Sequence, residues 1–437
     1  MLEAVQNALR LPDLRRKLLF TVFILLVYQF AAHVSVPGVD RDTLQQLFED
    51  SEGGLLDVLN LLSGGAVRNF SVIANGVYPY ITASIIIQLL TPIIPALERT
   101  AKEPGGRQKI NQYTYFLTIP MAILQSVGQI NIFEAQITGA TLIPGFGSDV
   151  LVTVSVIATM TAGTMLAIWL GERITEEGIG NGISIIIFAG IVALAPSQLG
   201  TLLQTRFLFN IVSFVIIVLI TVVAIVYINE GTRRIPVQYG KRVRGRKMYG
   251  GQSTHIPLRV NTAGMIPLIF AQSIITFPAI LVSFLPQGAI SEWVTDNLGN
   301  AYGFWYWLTY FILVVGFTYF YTSVMVQNQG LAENLQRNGG FIPGIRPGKR
   351  TQTYINQVVN RITLVGALFL GLVAILPGFM QIIIGLAYGS AAAQSFTQNP
   401  ANVIGPSGLI IVVGVVIDTM RQLEAQLMMR NYQGFLR

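Results

Sequence analysis

Ten apolar stretches, each about as long as a bilayer is thick, punctuate this chain. They lie near residues 18–36, 72–94, 113–130, 150–170, 182–196, 209–229, 262–286, 304–328, 362–383 and 404–424. A helix needs about 20 mainly apolar residues to cross roughly 30 Å of hydrocarbon. Only 11% of the residues are charged, against about 25% in an ordinary soluble domain. In water so much apolar surface would have no core large enough to hide it. The pattern predicts an all-α polytopic membrane protein with ten transmembrane helices.

The charged residues sort by side. With the termini and the even-numbered connections placed together, 25 of the 28 Lys and Arg fall on that side and three on the other. The positive-inside rule then puts both termini in the cytosol. Cysteine is absent, and the two histidines, His33 and His255, stand alone. Neither a disulfide framework nor a metal centre is expected, and no motif calls for a cofactor. Met1 to Arg10 shows no apolar run followed by a cleavage site. Residues 1–17 read as a short amphipathic segment that Arg15, Arg16 and Lys17 hold at the membrane surface.

Ten spans divide as five and five, over residues 18–200 and 201–424, with a tail at 425–437. An odd number per half makes the halves opposite in topology, the arrangement of inverted repeats about an axis in the membrane plane. Inside the acidic first external loop lies a short apolar run, Leu55-Leu56-Asp57-Val58-Leu59-Asn60-Leu61-Leu62-Ser63-Gly64-Gly65. It suits two or three helical turns, far short of a bilayer at about 1.5 Å per residue. It reads either as a re-entrant element near 55–66 or as an amphipathic helix on the outer surface. Two long basic connections face the cytosol. One, over 230–260, carries Arg242, Arg244, Arg246 and Lys247; the other, over 328–361, carries Arg346, Lys349 and Arg350 beside a Pro/Gly-defined tip. Anchoring to anionic lipid explains their sign. Their length suits docking of a ribosome or an acidic protein.

The spans hold almost no ionisable groups, which coupled transporters normally need. No nucleophile with its base, no metal cluster and no nucleotide loop appears, so no enzyme activity is expected. The interior polar groups are neutral, among them Gln88, Gln125, Gln272, Ser273 and Asn261. Such groups suit a passive conduit whose energy comes from elsewhere. Ile81 and Ile85 lie four apart on one helical face, as do Ile187 and Ile191. These faces fit either a hydrophobic constriction or ordinary lipid-facing filler. A secondary transporter of small solutes and a pore-less membrane scaffold remain the competing classes.

Four strings carry a resemblance that runs from the first span to the last. They are Pro79-Tyr80-Ile81-Thr82-Ala83-Ser84-Ile85-Ile86-Ile87-Gln88-Leu89-Leu90, Gly178-Ile179-Gly180-Asn181-Gly182-Ile183-Ser184-Ile185-Ile186-Ile187-Phe188, Gln252-Ser253-Thr254-His255-Ile256-Pro257-Leu258, and Phe341-Ile342-Pro343-Gly344-Ile345-Arg346-Pro347-Gly348. In these the chain resembles the SecY family, the pore-forming subunits of the bacterial Sec protein translocase.

The resemblance implies two inverted five-helix halves around a central pore that passes unfolded secretory polypeptides. Its waist would be a ring of Ile81, Ile85, Ile187, Ile191, Ile274 and Ile411. The run Leu55 to Gly65 would be a plug below that ring. Gln88, Gln125, Gln272 and Ser273 would belong to a lateral gate that releases transmembrane segments sideways into lipid. Arg242, Arg244, Arg246, Lys247, Arg346, Lys349 and Arg350 would form docking sites for the ribosome and the SecA motor ATPase. SecE, SecG and nascent chains are the other implied partners, with no small-molecule substrate and no cofactor. One departure bears on Ile411. The family's Gly-Gly-Thr-Ser-Leu-Leu-like run at the start of the last span reads Gly405-Pro406-Ser407-Gly408-Leu409-Ile410 here, an offset of about one residue.

Overall fold

The structure is a computed structural model of the chain. It describes residues 11–44, 60, 63–103, 105–136, 141–204, 208–239, 242–244, 247–249, 253–282, 284, 288–298, 303–376, 378–379, 382–383, 386 and 406–434. Every expected span falls on a helix or a large part of one. The N-terminal half contains α1 (Pro12–Ala31), α2 (Tyr78–Leu90), α3 (Pro95–Lys102), α4 (Gly106–Gln136), α5 (Val150–Glu177) and α6 (Gly182–Gln204). The C-terminal half contains α7 (Leu208–Glu230), α8 (Ile266–Val282), α9 (Ala289–Asn297), α10 (Phe304–Gln329), α11 (Leu331–Arg337), α12 (Lys349–Ala374) and α13 (Pro406–Gly434).

Local chemistry sets several helix ends. Pro12 opens α1, where the first turn has no partner for an N–H that proline lacks. Asp149 caps α5, its carboxylate accepting from the Leu151 N–H at 2.9 Å. Residues 13–17 continue straight into the first span; residues 1–10 of the expected surface segment lie outside the described residues. Four helices, including α4, α5 and α12, are long and apolar enough to cross a membrane by themselves among the described residues. Pro120, Pro196 and Pro278 sit inside α4, α6 and α8. Membrane helices tolerate such prolines because neighbouring groups satisfy the freed carbonyls.

The second span differs from expectation. Its helix covers only Tyr78–Leu90, and the chain then turns through 104° into α3. Residues 72–77, expected to be helical, instead form turns pinned beneath it. The Val72 N–H donates to the Val34 carbonyl and the Val36 N–H to the Phe70 carbonyl, both at 2.9 Å. Phe70, Ala74, Phe133 and Met160 build a separate apolar cluster around this re-entrant backbone. Irregular backbone at this depth is tolerated because protein surrounds it.

Large apolar side chains remain outside at helical spacing. On α1 these are Leu19, Phe23, Leu26 and Phe30, and on α7 Leu219, Val223 and Tyr227. A soluble surface does not carry such stripes; they suit a surrounding of lipid.

The two halves touch along two seams. At one, α8 meets α2 and α4; at the other, α7 and α13 meet α6. The basic connections hold strands rather than the plain loops the turn residues suggested. β1 (Thr232–Tyr239) pairs antiparallel with β4 (Ser253–Arg259), and its far end pairs with β5 (Gly340–Phe341). Between them, β2 (Arg242–Arg244) and β3 (Lys247–Tyr249) form a small hairpin. Pro236 lies in the middle strand, yet β5 pairs only with Gln238 and Tyr239. Beside Pro236 the β5 side of β1 is therefore unpaired, and an unpaired edge is where a strand tolerates proline. Ile235, Val237, Leu258, Leu335, Ile342 and Ile355 close one core beneath this sheet. The two basic connections are one module.

Candidate functional site

Helix periodicity aims the predicted isoleucines inward. Ile81 and Ile85 on α2, Ile187 and Ile191 on α6, and Ile411 on α13 are all buried, and they belong to one apolar cluster. Ile274 on α8 is half-buried and packs against that cluster. The four helices that supply them come from both halves. Ile275 and Ile410 are buried in the same place, so the one-residue offset on the last span leaves either isoleucine of α13 facing it. β-Branched side chains are stiff at χ1, which suits a closed but separable contact.

Next to this cluster lies the end of the expected plug. Of its residues, Asn60, Ser63, Gly64 and Gly65 are described; Leu55, Leu56, Asp57, Val58, Leu59, Leu61 and Leu62 lie outside the described residues. The described end is held by specific bonds. The Tyr28 hydroxyl on α1 donates to the Ser63 carbonyl at 3.2 Å. The Arg68 N–H donates to Asn60 Oδ1 at 2.9 Å, and the Val67 N–H donates to Ser63 Oγ at 3.2 Å. Gly64 sits directly against Gly190 of α6, one residue from Ile191.

The seam between α2 and α8 carries the polar contacts. The Tyr78 hydroxyl donates to the Gln272 carbonyl at 3.1 Å and also meets the Thr276 hydroxyl. Gln272 Nε2 donates to the Tyr306 hydroxyl at 3.1 Å. Behind the seam, Gln125 Nε2 on α4 donates to Thr82 Oγ1 at 3.4 Å, and Asn75 Nδ2 donates to Ser126 Oγ at 2.8 Å. Of the four predicted gate residues, Gln125, Gln272 and Ser273 are buried at or beside this seam. Gln88 is half-buried and donates to Ser84 on its own helix at 2.9 Å. Sequence reasoning missed Tyr78, Thr276 and Tyr306. Their only signal was a hydroxyl-bearing side chain on an otherwise apolar span.

The membrane interior is nearly free of charge, as expected, with one addition. Glu172, just beyond the predicted end of the fourth span, accepts a hydrogen bond from Tyr115, and the Tyr115 ring stacks on Tyr80 beside Ile81. Among the described residues no cluster of His, Cys, Asp or Glu could hold a metal ion.

In the basic module, Arg346, Lys349 and Arg350 are exposed. Arg346 stands between Gly344 and Gly348, both at positive φ, and its carbonyl accepts from the Thr351 hydroxyl at 3.1 Å. Arg242, Arg244 and Lys247 belong to the β2–β3 hairpin, and Arg246 lies outside the described residues. The period-2 run Ile235, Val237, Tyr239 was the overlooked strand signal.

Comparison with known proteins finds one family pattern, described as SecY, which matches residues 71–420. The chain is 43% identical over 453 residues to the protein translocase subunit SecY of Streptomyces galbus, covering the whole of both chains. It is 42% identical over 451 residues to the subunit of the same name from Halalkalibacterium halodurans, again over the full length of both. Among solved structures it resembles a protein conducting channel with a TM-score of 0.62 at 18% identity, covering 94% of this chain and 92% of that one. Sec61 in the canine ribosome–channel complex gives 0.61 at 18% identity, with the same coverage. At those identities the structural likenesses speak for the fold.

Proposed function

The chain belongs to the SecY family, and from that membership we propose how its own residues make a protein-conducting channel. Unfolded secretory polypeptides cross through the centre, and transmembrane segments leave sideways into the membrane. The observation that carries this reading is the meeting of Ile81, Ile85, Ile187, Ile191, Ile274 and Ile411 in one apolar cluster between two halves of the molecule.

A channel for many sequences needs a wall without charge-specific sites. An apolar waist holds back ions by dewetting, and branched side chains part around an extended chain and then reseal. The plug, over residues 55–65, rests against the waist through Gly64. The α2–α8 seam is the lateral gate. Its few neutral hydrogen bonds are each worth about 1–2 kcal/mol or less in a membrane, so a passing segment can replace them. A segment of about 20 apolar residues gains free energy by moving into lipid, and partitioning alone sorts anchored helices from secreted chain. The solute-transporter alternative finds no support in the family, and the interior lacks the ion-coupling groups it would need.

The chain does no chemistry of its own in this reading. Work comes from partners that dock on the cytosolic module: the ribosome, and the SecA motor ATPase at Arg346, Lys349, Arg350, Arg242, Arg244, Arg246 and Lys247. SecE and SecG accompany it in the cytoplasmic membrane, with both termini in the cytosol. The deciding experiment arrests a secretory chain in transit and places a photo-crosslinker at Ile81, Ile187 or Ile411. Crosslinks to the arrested chain are expected from all three. Crosslinks only to lipid would end the reading.

A further inference from the structure

Beside the plug end, on the outer flank of the seam, lies a cavity of about 30 Å³. Its wall is polar at five points, Ser63, Asn75, Tyr78, Gln125 and Gln129, and Ile280 of α8 closes part of the rest. The cavity joins three parts of the molecule. Ser63 belongs to the plug end, Asn75 to the turns that precede α2, Tyr78 to the first residue of α2, and Gln125 and Gln129 to α4. Gln129 is 6% exposed, and its carboxamide makes no hydrogen bond to another described residue. Gln125 spends its Nε2 on Thr82, leaving Oε1 as an acceptor. A carboxamide facing a small cavity finds its hydrogen-bond partner there or not at all, and an apolar side chain of similar size would fit this wall without one.

A cavity admits a water once about 10–15 Å³ is open to it and two to four polar groups surround the site. This cavity meets both conditions. Resting on the channel reading above, we propose that it is an ordered-water site, in which Gln129 holds a water that bridges the plug end to the gate seam. A bridging water is nearly as good enthalpically as a direct hydrogen bond and exchanges readily. It ties Ser63 to the seam while the channel rests, and it releases that tie without leaving a buried polar group bare when the seam parts. Gln129 is a positioning residue here, since it touches neither the ring nor the passing chain.

The test uses the full chain in its membrane complex and the variant Gln129→Met, which keeps the volume and removes the hydrogen bonds. A cryo-EM map fine enough to show other buried waters should contain a peak within hydrogen-bond distance of Gln129 and of Ser63 or Asn75. That peak should vanish in Q129M. In planar bilayers Q129M should open spontaneously several-fold more often than wild type, and Gln129→Asn should fall between them. A cavity without a peak in such a map, or Q129M openings equal to wild type, overturns the proposal. Preprotein translocation by wild-type protein in the same preparation tests the channel reading separately.

Discussion

Gly64 and Gly190 meet backbone to backbone: a Cβ built on Gly64 would lie 2.6 Å from the Gly190 Cα, and one on Gly190 would lie 2.8 Å from the Gly64 Cα. Gly64 also has a φ of +71°, a conformation that other residues rarely adopt. Ile191 follows Gly190 directly, so this contact fixes how closely the backbone at residue 64 approaches the isoleucine cluster. Any side chain at either position must push the two backbones apart.

Substituting Gly190→Val should therefore unseat the plug and raise resting ion conductance, while translocation persists. Gly200→Ala on the same helix meets open space and should leave conductance at the wild-type level. Equal conductance in all three proteins would show that the glycine contact does not set the seal.

Opening the ring chemically should have a larger effect. Replacing Ile81, Ile187 and Ile191 together with Ser removes stiff apolar bulk from a buried cluster and offers hydroxyls to water. A sustained leak in planar bilayers is the expected result. A tight resting membrane with the triple variant would place the barrier elsewhere.

At the seam, Tyr78→Phe removes the bonds to Gln272 and Thr276 and keeps the ring in place. The closed gate should lose about 0.5–1.5 kcal/mol. Segments of borderline hydrophobicity should then enter the membrane more often. A graded series of test segments measures this as a shift in the midpoint of insertion, and an unmoved midpoint would count against the seam as the gate.

The Arg346 side chain is exposed, and the bond that shapes its turn goes to its main-chain carbonyl. Arg346→Glu should therefore leave the cytosolic module folded, with an unchanged pattern of limited proteolysis. Motor-driven secretion should fall by an order of magnitude or so, as expected when a charge-assisted contact becomes a like-charge clash. Retained secretion would remove Arg346 from the docking surface.

The outer loop offers a test against pH. The Thr43 hydroxyl and the Asp42 N–H both bond the Asp40 carboxylate, holding its pKa below the usual carboxylate range. A depressed carboxylate pKa stabilises the fold above the group's ordinary value near 3.9, and that contribution is lost as pH falls through the lowered one. Thr43→Val should raise the Asp40 pKa, read from its carboxyl carbon resonance. An unchanged titration would mean that Thr43 contributes nothing to the turn.

Much of the architecture was legible because a span is a local property. Twenty apolar residues cannot stay in water wherever the rest of the chain goes, and each of the ten stretches holds a helix, though the second is helical only in part. Four-residue spacing likewise put Ile81 with Ile85, and Ile187 with Ile191, on common faces before any neighbour was known. The charge asymmetry needed only the order of spans. The short second helix and its sharp turn were hidden, because residues 72–77 continue the apolar stretch and their turns are held by distant contacts such as the Val72 bond to Val34.

The sequence by itself determined that this chain lives in a membrane and that its interior is greasy and almost uncharged. Only the tertiary structure decided which faces meet. Tyr78 reaches Gln272 across 194 positions of sequence, Gly64 finds Gly190 on another helix, and β1 joins two separate basic connections into one sheet. Lipid drives helices in without choosing their partners. The pairing rests on close packing and hydrogen bonds between distant segments, and no local pattern records those.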